Sequence, residues 1–187
     1  MVFNMNQSQL LSYLTRMDEA LRQDTMLTVY GSAAFILLGE EDRTSLDIDV
    51  AAPYCRVDFS DLQQAAAIAG LPVNPPETHA GDHIEWILPL RLCLPAPRPE
   101  TELVLWHGRK LTVRTVSPAE LIASKLIRYD EIDQSDIQYL CAQREIGFSE
   151  IEAAVRSLPS PFNDDAVIHE NLKNLRMDLS VWKGKKA

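Results

Sequence analysis

Two aspartates stand two residues apart in the run Leu46-Asp47-Ile48-Asp49-Val50, and Gly31-Ser32 follows the apolar run from Met26 to Tyr30. Side chains on a strand alternate faces, so the two carboxylates project from one side while Ile48 and Val50 turn to a core. Adjacent like charges cost Coulomb energy unless a cation lies between them, and a hard divalent ion such as Mg²⁺, which takes oxygen ligands, meets that need. Asp47 and Asp49 are therefore a candidate metal site. Gly31 permits a sharp turn and a close approach to the backbone, and the helix expected to begin at Ser32 offers N–H groups to an anion such as phosphate. A phosphate cradle beside a paired-carboxylate site suits phosphoryl or nucleotidyl transfer, which is chiefly positioning and charge neutralisation. Each motif also has a plainer reading: a Gly-Ser after a strand serves as a turn, and Asp-x-Asp as a solvated strand end.

The elements that must position these residues follow from periodicity and punctuation. Leu10, Leu14, Met17 and Leu21 recur at helical spacing, which predicts an amphipathic helix from about residue 7 to 22. Strands are expected at 26–30 and 46–51, with a short apolar helix at 33–38 ended by Gly39 between them. A helix over 61–69, capped by Ser60 and stopped by Gly70, precedes three more apolar stretches at 83–88, 102–106 and 111–116. Pro95, Pro97 and Pro99 must form a connection, because proline cannot donate to a sheet ladder. Ser117-Pro118-Ala119-Glu120 joins a cap serine, a first-turn proline and a capping-box glutamate, a strong helix start. Further helices are predicted at 135–144, at 149–158 with a Ser149/Glu152 capping box, and at 164–182, before a frayed tail at Lys183 to Lys186. The fold class this implies is α/β (α+β): an α/β core over 1–116 and a helical region over 117–187 packed on it.

Composition narrows the class of protein. The chain has 187 residues, 46% of them hydrophobic, enough to bury a full core. No basic leader precedes a long apolar run, and no stretch approaches the roughly 20 apolar residues of a membrane span, so a cytoplasmic protein with no membrane partner is expected. Cys55, Cys93 and Cys141 are few and odd in number, which reads as buried reduced thiols. The four histidines have no metal-ligand spacing and read as structural or surface groups. The net charge is −9 but uneven: residues 1–90 carry 4 basic and 13 acidic side chains, and 91–128 carry 7 and 3. That central segment, with Arg91, Arg98, Arg109, Lys110, Arg114, Lys125 and Arg128, is either a solvated face or a basic wall able to hold a triphosphate or an RNA end.

At these residues the chain resembles the nucleotidyltransferase superfamily related to DNA polymerase β, whose signature is Gly-Gly or Gly-Ser, a helix, then Asp-apolar-Asp/Glu-apolar. More narrowly it resembles the small bacterial members around the AbiEii-type toxins, in which an Arg-x-Ser/Thr-x lead-in precedes the carboxylates, here Arg43, Ser45 and Asp47. The segment Ser117 to Leu126, followed by Asp133 and Asp136-Ile137, is similar to the helix pair after the catalytic sheet in that group. The resemblance covers residues 26–140 and implies a nucleotidyltransferase-like mixed sheet flanked by helices.

It further implies Mg²⁺ on Asp47 and Asp49, and NTP held by Gly31, Ser32, Arg43 and Lys125. The acceptor would be a hydroxyl of RNA, tRNA included, or of a protein, and an antitoxin would be a partner. Lys125 is equally a plain surface lysine of its helix, and Asp133 and Asp136 are read as orienting helices rather than binding metal. A third carboxylate is expected of the superfamily. Glu85, in Ile84-Glu85-Trp86, is the candidate, because a glutamate flanked by apolar residues points away from the core and toward the aspartates' face; Glu102 is its rival. Two further readings stay open: a catalytically silent binding or regulatory module, which a missing third acid would indicate, and a metal-dependent phosphoesterase.

Overall fold

The computed structural model describes residues 4–184. It forms two compact units, Met1–Leu92 with Pro97–Val116, and Cys93–Ala96 with Ser117–Ala187. Residues 93–96, expected as a connection within the core, thus cluster with the helical unit. Among the described residues there are seven α-helices and five strands, so the chain is mixed α/β.

The first unit is built on a five-stranded mixed sheet. Its elements are α1 (Gln7–Ala20), β1 (Thr25–Tyr30), α2 (Gly31–Leu37), β2 (Asp47–Ala51), α3 (Phe59–Ala69), β3 (His83–Ile87), β4 (Leu103–His107) and β5 (Leu111–Thr115). The strand order is β3-β2-β1-β5-β4, with β2∥β3 and β1∥β5 parallel and the β1/β2 and β4/β5 pairs antiparallel. One face of the sheet is apolar: Leu27, Val29, Ile48, Val50, Ile84, Leu111 and Val113 are all buried. Leu10, Leu14 and Met17 of α1 are buried with them, as are Leu62, Ala65, Ala66 and Ala69 of α3, which packs on α1. The small alanines let these two helices approach closely. By alternation the opposite face carries Thr28, Tyr30, Asp47, Asp49, His83, Glu85, Thr112 and Arg114. The sheet therefore separates a hydrophobic core from a more polar face, on which Thr28, Ala51 and Ile87 are nonetheless buried.

The helix starts differ from the sequence expectation for a common reason. Helix α3 begins at Phe59, because Asp58, not Ser60, accepts the N–H of Asp61 at 2.9 Å. In the second unit, α4 (Pro118–Lys125) has the expected Ser117/Glu120 capping box. Helix α5 (Glu131–Gln143) starts four residues earlier than predicted, since Asp130 caps it through the N–H of Asp133. Helix α6 (Phe148–Arg156) is capped at Gly147, whose N–H donates to Glu150 Oε2 at 2.6 Å, instead of by a Ser149/Glu152 box. Before α7 (Ala166–Gly184), Asp165 accepts the N–H groups of Val167 and Ile168. At α3, α5 and α7 an aspartate accepts the first orphan N–H groups, and at α6 Glu150 reaches back to the N–H of Gly147. Of the frayed tail, Lys185 and Lys186 lie outside the described residues, whereas Lys183 and Gly184 end α7.

The core of the second unit is made by Leu121, Ile122, Leu126, Ile137, Leu140, Ile151, Val155, Ile168, Leu172 and Leu175. The three cysteines are free thiols: Cys93 is buried, Cys55 and Cys141 partly so. Burial pushes the Cys55 thiol up to about 11 and that of Cys93 up to about 12. No described helix is long and apolar enough to cross a membrane.

A candidate metal and phosphate site on the polar sheet face

Strand pairing assembles the carboxylates. Asp49 of β2 lies opposite Glu85 of β3, and Asp47 lies opposite His83, so the register sets four polar side chains in a two-by-two array on one face. One carboxylate oxygen each of Asp47, Asp49 and Glu85 lies within 4.8 Å of the other two. Each residue is half-buried, accessible to a ligand yet partly shielded from water. Three acids this close repel one another, and oxygen–metal distances of about 2.0–2.6 Å let a single cation reach all three with small adjustments. Glu102, the rival third acid, is elsewhere: its carboxylate accepts from Arg114 Nη1 at 2.6 Å, and Arg114 also donates to Thr28 Oγ1 and the Tyr54 carbonyl.

Hydrogen bonds hold Asp47 and Glu85 in place. Ser45 Oγ donates to Asp47 Oδ1 at 3.1 Å, while the Ser45 backbone exchanges both hydrogen bonds with Met5 and so fixes the entry to β2. Arg91 Nη2 donates to Glu85 Oε1 at 3.1 Å. The loop before β3 is pinned by Tyr13 of α1, whose hydroxyl donates to Asp82 Oδ2 at 2.9 Å.

Gly31 joins the acids to the turn after β1. It has φ +61°, the left-handed region, and a Cβ built on it would overlap Asp49 Oδ2. The carboxylate of Asp49 is thus packed directly on the Gly31 backbone, which only glycine allows. Ser32, the next residue, accepts a hydrogen bond on its hydroxyl from Arg43 Nη2 at 2.6 Å. Gly31, Ser32, Arg43, Asp47, Asp49 and Glu85 therefore form one contiguous constellation in the first unit.

Lys125 belongs to the second unit, and its charge is committed there. Its ammonium donates to Asp133 Oδ1 at 2.9 Å and pairs with Asp136 Oδ2 at 2.5 Å, with the three side chains 7%, 2% and 1% exposed. Arg128 adds two hydrogen bonds to Asp133. Burial works against the charged form of Asp133, but Arg128 and Lys125 outweigh it and hold its carboxyl below the usual range.

Two residues of the site were not singled out from the sequence. His83 shares the face of Asp47, and period-two counting back from Glu85 would have found it. Its Nδ1 is 3.1 Å from the Gly81 carbonyl, which can only accept, so Nδ1 is the donor of that hydrogen bond. Arg91 was seen only as part of a basic segment, because its approach to Glu85 depends on the turn after β3. No protein-family model, curated protein or solved structure matches the chain.

Proposed function

We propose that this protein is a Mg²⁺-dependent nucleotidyltransferase that moves a nucleoside monophosphate from an NTP to a hydroxyl of RNA, tRNA included, or of a protein. The observation that carries the reading is the direct packing of Asp49 on Gly31, which puts a three-carboxylate group against a Gly-Ser turn. Asp47, Asp49 and Glu85 would hold the metal, and their all-oxygen donor set on adjacent strands fits a hard divalent cation. Mg²⁺, when bound, supplies charge neutralisation on the triphosphate and its leaving group. The Gly31 backbone and Ser32 hydroxyl would orient the outer phosphates, with Arg43, already on Ser32, adding positive charge. Lys125, enclosed by two aspartates, is left out of the nucleotide contacts. The AbiEii-type resemblance adds the proposal that the chain is the toxin of a toxin–antitoxin pair.

Glu85 bears on the alternatives, since a site with two acids would have favoured a silent module. The test is incubation with each radiolabelled NTP, Mg²⁺ and total cellular RNA or protein. Wild type should label a macromolecule, and Asp47→Asn, Asp49→Asn and Glu85→Gln should each lose about a hundredfold or more of the rate while keeping their circular dichroism. Phosphate or nucleotide release without transfer would favour a phosphoesterase. Near wild-type labelling by either aspartate variant would overturn the site.

A further inference from the structure

We propose that Arg91 is an exchangeable counter-ion of the acid group: it neutralises Glu85 when no cation is bound and turns to the triphosphate when one is. The inference rests on the metal-site reading above and extends it to a residue that reading does not use. Arg91 Nη2 lies 3.1 Å from Glu85 Oε1, and the Arg91 side chain is 73% exposed against 31% for Glu85. An ion pair so open to solvent is screened and easily broken, so a divalent cation can replace the guanidinium on Glu85 at little cost. Arg91 ends a 3-10 turn, Pro89–Arg91, that follows β3 and presents Leu90 at 93% exposure, so the side chain has room to swing.

A triphosphate held at the same carboxylates would bring phosphate oxygens close to Glu85, whose Oε1 lies 3.1 Å from Arg91 Nη2. The released guanidinium, with its fork of donors, matches such an oxygen pair. Residues 1–90 carry only four basic side chains against 13 acidic ones, so a polyanion approaching this sheet face depends strongly on each nearby cation.

The exchange predicts effects of opposite sign. In calorimetric titrations, Arg91→Ala should bind Mn²⁺ alone about two- to fivefold more tightly than wild type, because the metal's competitor is gone. The same variant should bind inorganic triphosphate in the presence of Mg²⁺ about fivefold more weakly, for loss of one charge-assisted contact, and Arg91→Lys should recover part of it. A merely structural role would move both affinities the same way or neither. Wild type that binds no Mn²⁺ overturns the metal site and this inference together. Wild type that binds Mn²⁺ and triphosphate, with Arg91→Ala shifting neither or both alike, overturns the inference alone.

Discussion

Replacing Gly31 by alanine should destabilise the first unit, and a second substitution should remove most of the damage. The alanine must hold φ near +61°, which costs an L-residue about 1–2 kcal/mol. Its methyl would overlap Asp49 Oδ2 and come within 3.2 Å of Asp49 Cγ. Either the carboxylate leaves its rotamer or β2 shifts, at about 1–3 kcal/mol for an overpacked position. The total is about 2–5 kcal/mol. In an Asp49→Ala background the nearest remaining atom is Cβ of residue 49 at 3.6 Å, an ordinary contact. There the same change should cost only the left-handed strain of about 1–2 kcal/mol. Urea denaturation of the four proteins in metal-free buffer gives the coupling directly, expected at about 1–3 kcal/mol. An equal cost of Gly31→Ala in both backgrounds would refute the claim that the Asp49 carboxylate rests on the glycine. A cost below about 0.5 kcal/mol in wild type would refute the backbone conformation itself.

Two further perturbations probe what holds each unit. Asp18 of α1 accepts the N–H groups of Arg109, Lys110 and Leu111 at 2.9, 2.7 and 2.7 Å, and so clamps the β4–β5 hairpin. A Cβ on Gly108 of that turn would come 2.5 Å from Asp18 Cγ, which is why the clamp can close there. Desolvation opposes ionisation of Asp18, but those three N–H groups and the Arg109 charge outweigh it, leaving the carboxyl below its ordinary value. With the folded pKa below the unfolded one, the stabilisation is complete above the unfolded carboxylate range and is lost as pH falls through the folded value. Asp18→Asn should therefore lower the urea midpoint at pH 7 by an amount equivalent to about 1–2 kcal/mol, with the gap to wild type closing below about pH 4; a pH-independent gap would count against the clamp. In the second unit, Lys125→Met leaves two deeply buried aspartates short of their cation and should cost about 3–5 kcal/mol in thermal unfolding, whereas a loss under about 1 kcal/mol, the scale of a surface pair, would refute a buried cluster.

How much of this was legible in the sequence depends on the range over which each cause acts. The alternation that sends Asp47 and Asp49 to one side is set by their own strand, so it could be read directly. Glu85 was legible by the same rule, because apolar neighbours at 84 and 86 force it to the other face, but its partner was not. That Asp49 and Glu85 face each other is a matter of register between β2 and β3, strands separated by α3 and a long loop. Helix existence was readable from periodicity, while the starts of α3, α5 and α6 were misplaced. There the carboxylates of Asp58, Asp130 and Glu150 accept the N–H groups of Asp61, Asp133 and Gly147, so the helices begin ahead of Ser60, Ser135 and Ser149. Lys125 illustrates the limit of local reading: its neighbours on α4 leave it open to either a ligand or a surface role. Only the packing of α5 brings Asp133 and Asp136 onto it and commits its charge.

The connection between Gly31 and Asp49 lies between these extremes. Each residue suggested its half of a site, a turn and a metal ligand, and each half alone has an ordinary explanation. What the antiparallel pairing of Tyr30 with Asp49 adds is a steric constraint: the carboxylate arrives where the next residue's side chain would be. A turn needed only for its left-handed backbone would accept asparagine at modest cost. A turn that must also admit a neighbouring strand's carboxylate excludes every side chain. Comparing Gly31→Asn with Gly31→Ala separates the two demands. If the backbone angle alone mattered, asparagine would be the milder substitution; because space is the tighter constraint, asparagine should be at least as damaging as alanine.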